Sequence, residues 1–134
     1  METEVTGDIR ESRAHEGRKP MMLFPDAAAW EAWLAGHHDS AAEAWLRIAK
    51  KNAPVTSVTI EQALDVALCF GWIDSNRKSL DEHYYLQRYS RRRKASPWSR
   101  INVARAERLI AEGRMRVPGF AEITAARREG RWGR

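Results

Sequence analysis

The sequence predicts one α+β domain, in which a small, mainly antiparallel sheet packs with about four helices and the C-terminal part is helical. The 134 residues, 43% hydrophobic and 31% charged, suffice for one core of ordinary globular composition. The hydrophobic patterns follow the order helix, strand, helix, strand, strand, helix, helix. Residues 1–20 are polar and show no periodicity, so we expect a mobile N-terminal tail before a single domain at 21–134.

The first helix is predicted in the segment FPDAAAWEAWLAGHHD. Asp26 is a good N-cap, because its carboxylate can accept hydrogen bonds from the first free backbone N–H groups. Gly36 suits the left-handed conformation that ends many helices. Trp30, Trp33 and Leu34 share one face, which we expect to be buried.

A strand and the central helix come next. The strand is predicted by two alternating sets, Ala44, Leu46 and Ile48 on one side and Trp45, Arg47 and Ala49 on the other. Thr59 and Gln62 form a capping box before the helix, and Gly71 ends it. The apolar stripe of this helix consists of Ala63, Leu64, Ala67, Leu68 and Phe70.

The segments WIDSNRK and HYYLQRYS are predicted as two extended segments separated by the polar SLDE, which form a β-hairpin or two neighbouring strands. Alternation along the second strand places His83, Tyr85, Gln87 and Tyr89 on one side, and Tyr84, Leu86 and Arg88 on the other. Aromatic residues are therefore expected on both faces of this strand.

Two helices complete the chain. One is predicted to begin after Ser99 as N-cap and to stop at Gly113. Its packing residues are expected to be Ile101, Val103, Ala106, Leu109 and Ile110. The other has Pro118 in its first turn, carries Phe120 and Ile123 inward and ends before Gly130.

Several classes of protein lack their sequence signatures. No apolar run approaches the roughly 20 residues of a membrane span, and the first 20 residues do not form a secretory signal, so we expect a cytoplasmic protein. Cys69, the single cysteine, predicts a buried inert thiol. The motifs of phosphate loops, dinucleotide sites, hydrolase elbows and zinc proteases are absent, and adjacent His37 and His38 diverge on a helix, so no cofactor or metal is expected.

Positive charge is concentrated in one segment. Residues 1–76 carry a net charge of −5, residues 77–105 carry +7 and residues 106–134 carry +3. Arginine matches phosphate and carboxylate geometry, and aromatic rings can stack on bases or hold cations. The segment 77–105 therefore predicts a surface for an anionic partner. Nucleic acid or a phosphorylated ligand is one alternative, and a merely solvated run of charges is another.

A small enzyme is a further alternative. Asp74, Asp81 and Glu82 could supply a general acid or base, and His83 is close in sequence. Spacing alone does not show that these side chains converge. The structural alternative is that Asp74 pairs with a nearby cation and that SLDE caps a turn.

Several short segments occur in order between Trp30 and Trp132: GWID, LDE followed by YLQRYSRRR, WSRIN, EGRM and the terminal GRW. This ordered series resembles the bacterial YdeI/OmpD-associated family, also described as bacteriocin-protection proteins. Ser75 departs from the Gly that many relatives have after WID, which puts only the local turn in doubt.

The resemblance implies resistance to bacteriocins or antimicrobial peptides, with a porin or envelope partner and no established reaction or cofactor. It also suggests a periplasmic location, for which the sequence shows no export signal. A segment with a charge of +7 would repel a cationic peptide, so an acidic protein or a phosphorylated ligand is the expected partner. The function predicted in this way is that of a non-enzymatic binding or adaptor module.

The candidate ligand-binding residues are the positions that match the family motifs: Trp72, Asp74, Lys78, Asp81, Tyr85, Gln87, Arg88, Arg92, Arg93, Trp98, Ser99 and Asn102. The two tryptophans are expected to wall a pocket or support the core, and the arginines to meet an anion. Ser99 and Asn102 could bind a carboxylate or phosphate at a helix N-terminus, or Ser99 could be a cap alone. We expect these cations and rings to share one continuous recess on the surface.

Overall fold

A computed structural model describes residues 21–133 and confirms the α+β class with a small sheet. Its elements are β1 (Met21–Met22), α1 (Ala27–His37), β2 (Glu43–Ala49), α2 (Ile60–Cys69), β3 (Trp72–Ser79), β4 (Tyr84–Arg91), α3 (Arg100–Ala111) and α4 (Val117–Arg128). The tail predicted at 1–20 lies outside the described residues. None of the helices within 21–133 has the length and hydrophobicity needed to cross a membrane.

The sheet has the strand order β1-β2-β4-β3. β1 runs parallel to β2, whereas β4 is antiparallel to both β2 and β3, so the predicted hairpin is confirmed. Its turn is as long as SLDE but lies one residue later in the chain, because Ser79 still belongs to β3 and β4 begins at Tyr84. β1 was not predicted, since two residues are too few to show a periodicity.

The two faces of the sheet differ in what covers them. The inner face packs against α1 and α2, where Leu46, Ile48 and Tyr89 join Trp30 and Leu34 in the core. Side chains of the outer face alternate with these residues and lie outside the core cluster. The alternation predicted for β2 is therefore confirmed, and it turns one set of side chains away from the helices.

The helices begin where the sequence predicts. Asp26 accepts a hydrogen bond from the Ala29 N–H at 2.9 Å, and Thr59 and Gln62 form the full capping box of α2. The expected stop at Gly36 is wrong, since Gly36 lies inside α1. The helix continues to His37, whose Nδ1 lies 2.8 Å from the Trp33 carbonyl oxygen.

The C-terminal helices bury a narrower stripe than the sequence predicts. Ala106, Leu109 and Ile123 are buried as expected. Ile101 and Phe120 were predicted to pack inward but are 74% and 44% exposed. Both lie in the first turn or two of their helices, where apolar spacing does not show how far the neighbouring helix extends.

An ion-pair cluster fixes α3 against α2. The carboxylate of Asp65, only 9% exposed, accepts hydrogen bonds from Arg105 at 2.9 Å and from Arg108 at 2.8 Å. A buried carboxylate is costly unless such donors compensate its lost hydration. Two arginines that contribute to the positive charge of the chain are thus used to hold helices together.

Helix α4 approaches the junction of α2 and β3 very closely. A Cβ atom at Gly119 would lie inside van der Waals contact of the Cys69 carbonyl oxygen and Met115 Sδ, and 2.9 Å from the Cys69 carbonyl carbon. The same junction contains Gly71, which has a φ of +77°. Only glycine at residue 119 allows the two backbones to pack at this distance.

Replacing Gly119 with alanine tests this close packing. We expect Gly119→Ala to lower the free energy of unfolding by about 1–3 kcal/mol, because the rigid backbone of Cys69 must move. The matched control is Gly36→Ala, also inside a helix, where an added Cβ meets nothing within 4 Å. The control should gain about 0.5–1 kcal/mol. Urea unfolding followed by tryptophan fluorescence measures both, and equal effects would contradict the assigned packing.

Candidate functional site

The predicted site residues do not form the single recess that we expected. Gln87 and Arg88 are adjacent in β4, and strand alternation turns them to opposite faces of the sheet. Trp72 and Trp98 are fully buried, so they support the core and do not wall an open pocket. The candidates therefore lie in several separate places.

Arg92 and Trp98 form a buried pair. Arg92 is 7% exposed, and its guanidinium carbon lies 3.9 Å from the centre of the Trp98 ring. Its Nη2 donates to the Pro97 carbonyl oxygen at 2.9 Å, and burial lowers the pKa of Arg92 to about 10. These contacts close the loop between β4 and α3, so Arg92 does not face solvent as an anion-binding residue would.

Ser99 acts as a helix cap. Its hydroxyl oxygen accepts a hydrogen bond from the Asn102 N–H at 3.1 Å, which uses one of the donors that an anion would need. Arg93 is exposed in the preceding loop. The geometry thus fits the capping role of Ser99 and shows no assembled site at this helix end.

The two candidate carboxylates of an enzyme lie at opposite ends of the hairpin. Asp74 pairs across the strands with Tyr89, near the start of β3. Asp81 lies in the turn after β3 and accepts hydrogen bonds from the N–H groups of His83 and Tyr84, at 2.9 and 3.0 Å. The strand residues from Ser75 to Ser79 separate the two carboxylates by roughly 15 Å or more at the rise of a strand. The pair cannot act on one substrate group in this arrangement.

Gln87 is buried and fully hydrogen-bonded. Its Nε2 donates to the carbonyl oxygens of Ser75, Asn76 and Arg88, at 3.3, 3.1 and 3.2 Å. Its Oε1 accepts a hydrogen bond from Arg77 Nε at 2.7 Å. The pairing of β3 with β4 shifts by one residue between Asp74 and Arg77, so this side chain fills and fixes a β-bulge.

Tyr85 lies on the inner face but is 36% exposed. Lys50 Nζ and the Arg77 guanidinium carbon lie 5.3 and 5.7 Å from the centre of its ring. Of the predicted site residues, Tyr85 and Gln87 are therefore brought together, and the link between them is Arg77.

Lys78 and Arg88 lie on the outer face, among aromatic residues of both strands. We call this surface the open sheet face; it consists of Trp45, Arg47, Lys78, Tyr84, Leu86 and Arg88. Lys78 Nζ lies 5.2 Å from the centre of the Trp45 ring, and the Arg47 guanidinium carbon lies 4.7 Å from that of Tyr84.

Not every cation of the open sheet face is available to a ligand. Arg88 Nε forms an ion pair with the Glu43 carboxylate at 2.6 Å, and Arg88 Nη1 donates to the Ser75 hydroxyl at 3.1 Å. Lys78 is exposed, and within residues 21–133 it forms no ion pair. The face thus presents Lys78 as an exposed cation held over a ring, an arrangement suited to carboxylate or phosphate groups.

Sequence reasoning missed the contribution of β2 and the residues that follow it. Trp45, Arg47 and Lys50 lie about 30 residues before the basic segment, in a part of the chain whose net charge is negative. The outward-facing set of β2 was visible in its alternation. The pairing of β2 with β4, which brings these residues beside the basic segment, could not be predicted, because local periodicity does not show which distant strands pair.

The fold and these surfaces define a two-layer α+β domain in which no helix within residues 21–133 packs on the outer face of the sheet. Residues 22–122 match the model of a family described as a domain of unknown function, DUF8412, and the chain belongs to that family. No curated protein and no solved structure is significantly similar to the chain. The relation to YdeI/OmpD-associated proteins stays a prediction, and the family description carries no activity.

The Asp81 turn predicts a pH-dependent stability. The backbone hydrogen bonds from His83 and Tyr84 lower the pKa of Asp81 below its ordinary value of 3.8. A lowered folded-state pKa stabilises the fold above the ordinary pKa, and this stabilisation disappears as the pH falls through the folded-state pKa. Asp81→Ala should therefore unfold at less urea than the parent protein at pH 7, and the difference should narrow towards pH 3.

Glu82→Ala is the control for this measurement. Glu82 lies in the same turn, and its side chain is 83% exposed with one contact to His83 at 3.3 Å. Its removal should leave the urea midpoint almost unchanged at both pH values. A deficit of Asp81→Ala that persists undiminished at low pH would show that the carboxylate charge does not stabilise the turn.

Proposed function

We propose that this protein is a non-enzymatic binding module that takes an acidic segment of a partner protein on its open sheet face. The observation that carries the proposal is the exposed Lys78, which is held over the Trp45 ring. A cation held by a ring loses less conformational entropy when a carboxylate binds to it than a freely rotating side chain does.

The ring arrangement favours an acidic protein over nucleic acid. Single-stranded nucleic acid binds by stacking its bases on accessible aromatic faces. Here Lys78 lies over Trp45, Arg47 lies over Tyr84, and Tyr84 is only 9% exposed. Lys78 is presented to solvent while the rings are covered, which suits carboxylates better than bases.

The proposal agrees with the role that the resemblance to YdeI/OmpD-associated proteins implies. An adaptor in bacteriocin or envelope stress needs a protein partner, and a porin or other envelope protein with an acidic segment has the required chemistry. A phosphorylated segment is the related alternative. We take the cytoplasm as the proposed compartment and the periplasm as the alternative that the resemblance suggests.

Binding of a defined acidic probe tests the proposed function. The probe is a fluorescein-labelled twelve-residue peptide of alternating Glu and Ser, measured by fluorescence anisotropy at low ionic strength. We expect binding that weakens with salt, and a loss of about three- to tenfold in affinity in Lys78→Gln. A Lys and Ser peptide of the same length should not bind.

Arg128→Gln provides the matched control. Arg128 is an exposed cation in the last turn of α4 and takes no part in the sheet, so its loss changes the net charge without changing the open sheet face. If Arg128→Gln and Lys78→Gln weakened the affinity for the acidic peptide equally, the loss would reflect net charge alone and the proposal would be wrong. Tighter binding of a labelled oligothymidylate, lost in Lys78→Gln, would replace it with the nucleic-acid alternative.

A further inference from the structure

We propose that a second site, separate from the open sheet face, binds a small phosphate-bearing ligand. The site is a groove of about 590 Å³ between the end of β2, the loop that follows it, the start of α2 and the β3-β4 hairpin. This volume lies in the range of pockets that hold small organic ligands. We call it the Tyr85 groove, since Tyr85 is its exposed aromatic residue.

Among the charged residues that line the Tyr85 groove, cations outnumber carboxylates. Lys50, Lys51 and Arg77 line it together with a single carboxylate, that of Glu61. Within residues 21–133, none of these three cations forms an ion pair with a carboxylate. The excess positive charge inside a groove is typical of a site for an anion.

Arg77 is held by a buried side chain. Gln87, 1% exposed, accepts the Arg77 Nε–H at 2.7 Å, and its own amide is fixed by three backbone carbonyl oxygens. This contact uses Nε and leaves the terminal nitrogens of the guanidinium for another acceptor. A β-bulge that aims a side chain in this way is a common feature beside binding sites.

Lys50 is held by hydrogen bonds to residues at the turn of the β3-β4 hairpin. Its Nζ donates to the Ser79 hydroxyl at 2.7 Å, and its backbone N–H donates to the His83 carbonyl oxygen at 2.8 Å. The Ala53 N–H donates to the Lys50 carbonyl oxygen at 3.0 Å, in a turn where Asn52 has a φ of +67°. The loop and the hairpin are thus tied together, with Lys50 and Arg77 both within 6 Å of the Tyr85 ring.

The chemistry of the lining favours a phosphate ester. A phosphate monoester carries a charge of about −1.5 to −2 near neutral pH, which matches several converging cations better than one carboxylate does. The groove also contains apolar groups, including Ile48, Val55 and Ile60, that can contact an organic part of the ligand. Phosphate and organic portions of one small molecule would therefore be bound together.

Titration with adenosine monophosphate and with inorganic phosphate tests this proposal. We expect both to shift the backbone amide NMR signals of Lys50, Arg77 and Tyr85 saturably, whereas adenosine and succinate do not. Affinity should fall about tenfold in Arg77→Gln and in Lys50→Gln. Arg77 is exposed, Lys50 is half-buried, and the Lys50–Ser79 hydrogen bond lies at the surface, so both unfolding midpoints should stay near the parent value.

Lys78→Gln is the matched control. Lys78 is the next residue after Arg77 but belongs to the open sheet face, so phosphate affinity should not change in this variant. Tighter binding of the nucleotide than of phosphate would assign the organic ester as the ligand, and equal binding would assign free phosphate. Absence of saturable binding, adenosine binding as tight as the nucleotide, or unchanged affinity in Arg77→Gln would overturn the proposal.

Discussion

The hydrogen bonds of the buried Gln87 amide are the constraint on which both surfaces depend. A buried amide is stable only when its donors and acceptor are satisfied, and the carbonyl groups that satisfy this one belong largely to the bulge in β3. Without the extra residue, Asn76 would lie opposite Gln87. With it, Arg77 takes that place on the inner face and Lys78 lies opposite Leu86 on the outer face. Adjacent residues of a strand face opposite sides, and the one inserted residue decides which side Arg77 and Lys78 each take.

This bulge explains why the elements could be predicted and the site could not. The caps at Asp26, Thr59 and Ser99 and the alternation in β2 are local signals, and the structure confirms them. The face of the sheet on which Arg77 and Lys78 each lie depends on a register shift that no local sequence pattern shows. Ser75 lies at the bulge, and it departs from the Gly that the resemblance to YdeI/OmpD-associated proteins leads us to expect after WID. Only the pairing of β3 with β4 shows that the register shifts there.

The net charge of residues 77–105 is not the charge of one surface in the folded protein. The count of +7 for residues 77–105 treats every cation as available. Arg92 is buried against Trp98, and Arg88 and Arg105 form ion pairs with carboxylates from distant parts of the chain. Lys50 lies outside the segment but contributes to the Tyr85 groove. Burial and pairing redistribute the charge, so a linear sum overstates one surface and misses another.

The interactions that stabilise the fold are largely separate from the residues of the two surfaces. The Asp65 ion pairs, the close packing at Gly119 and the core around Trp30 all lie in the helical layer. Lys78 and Arg77 are exposed; Lys78 contacts the Trp45 ring, and Arg77 contacts the Gln87 side chain and the Tyr85 ring. Surface cations of this kind contribute little to stability when replaced. The domain can therefore vary these residues without losing its core, which is the condition under which one fold can acquire different partners.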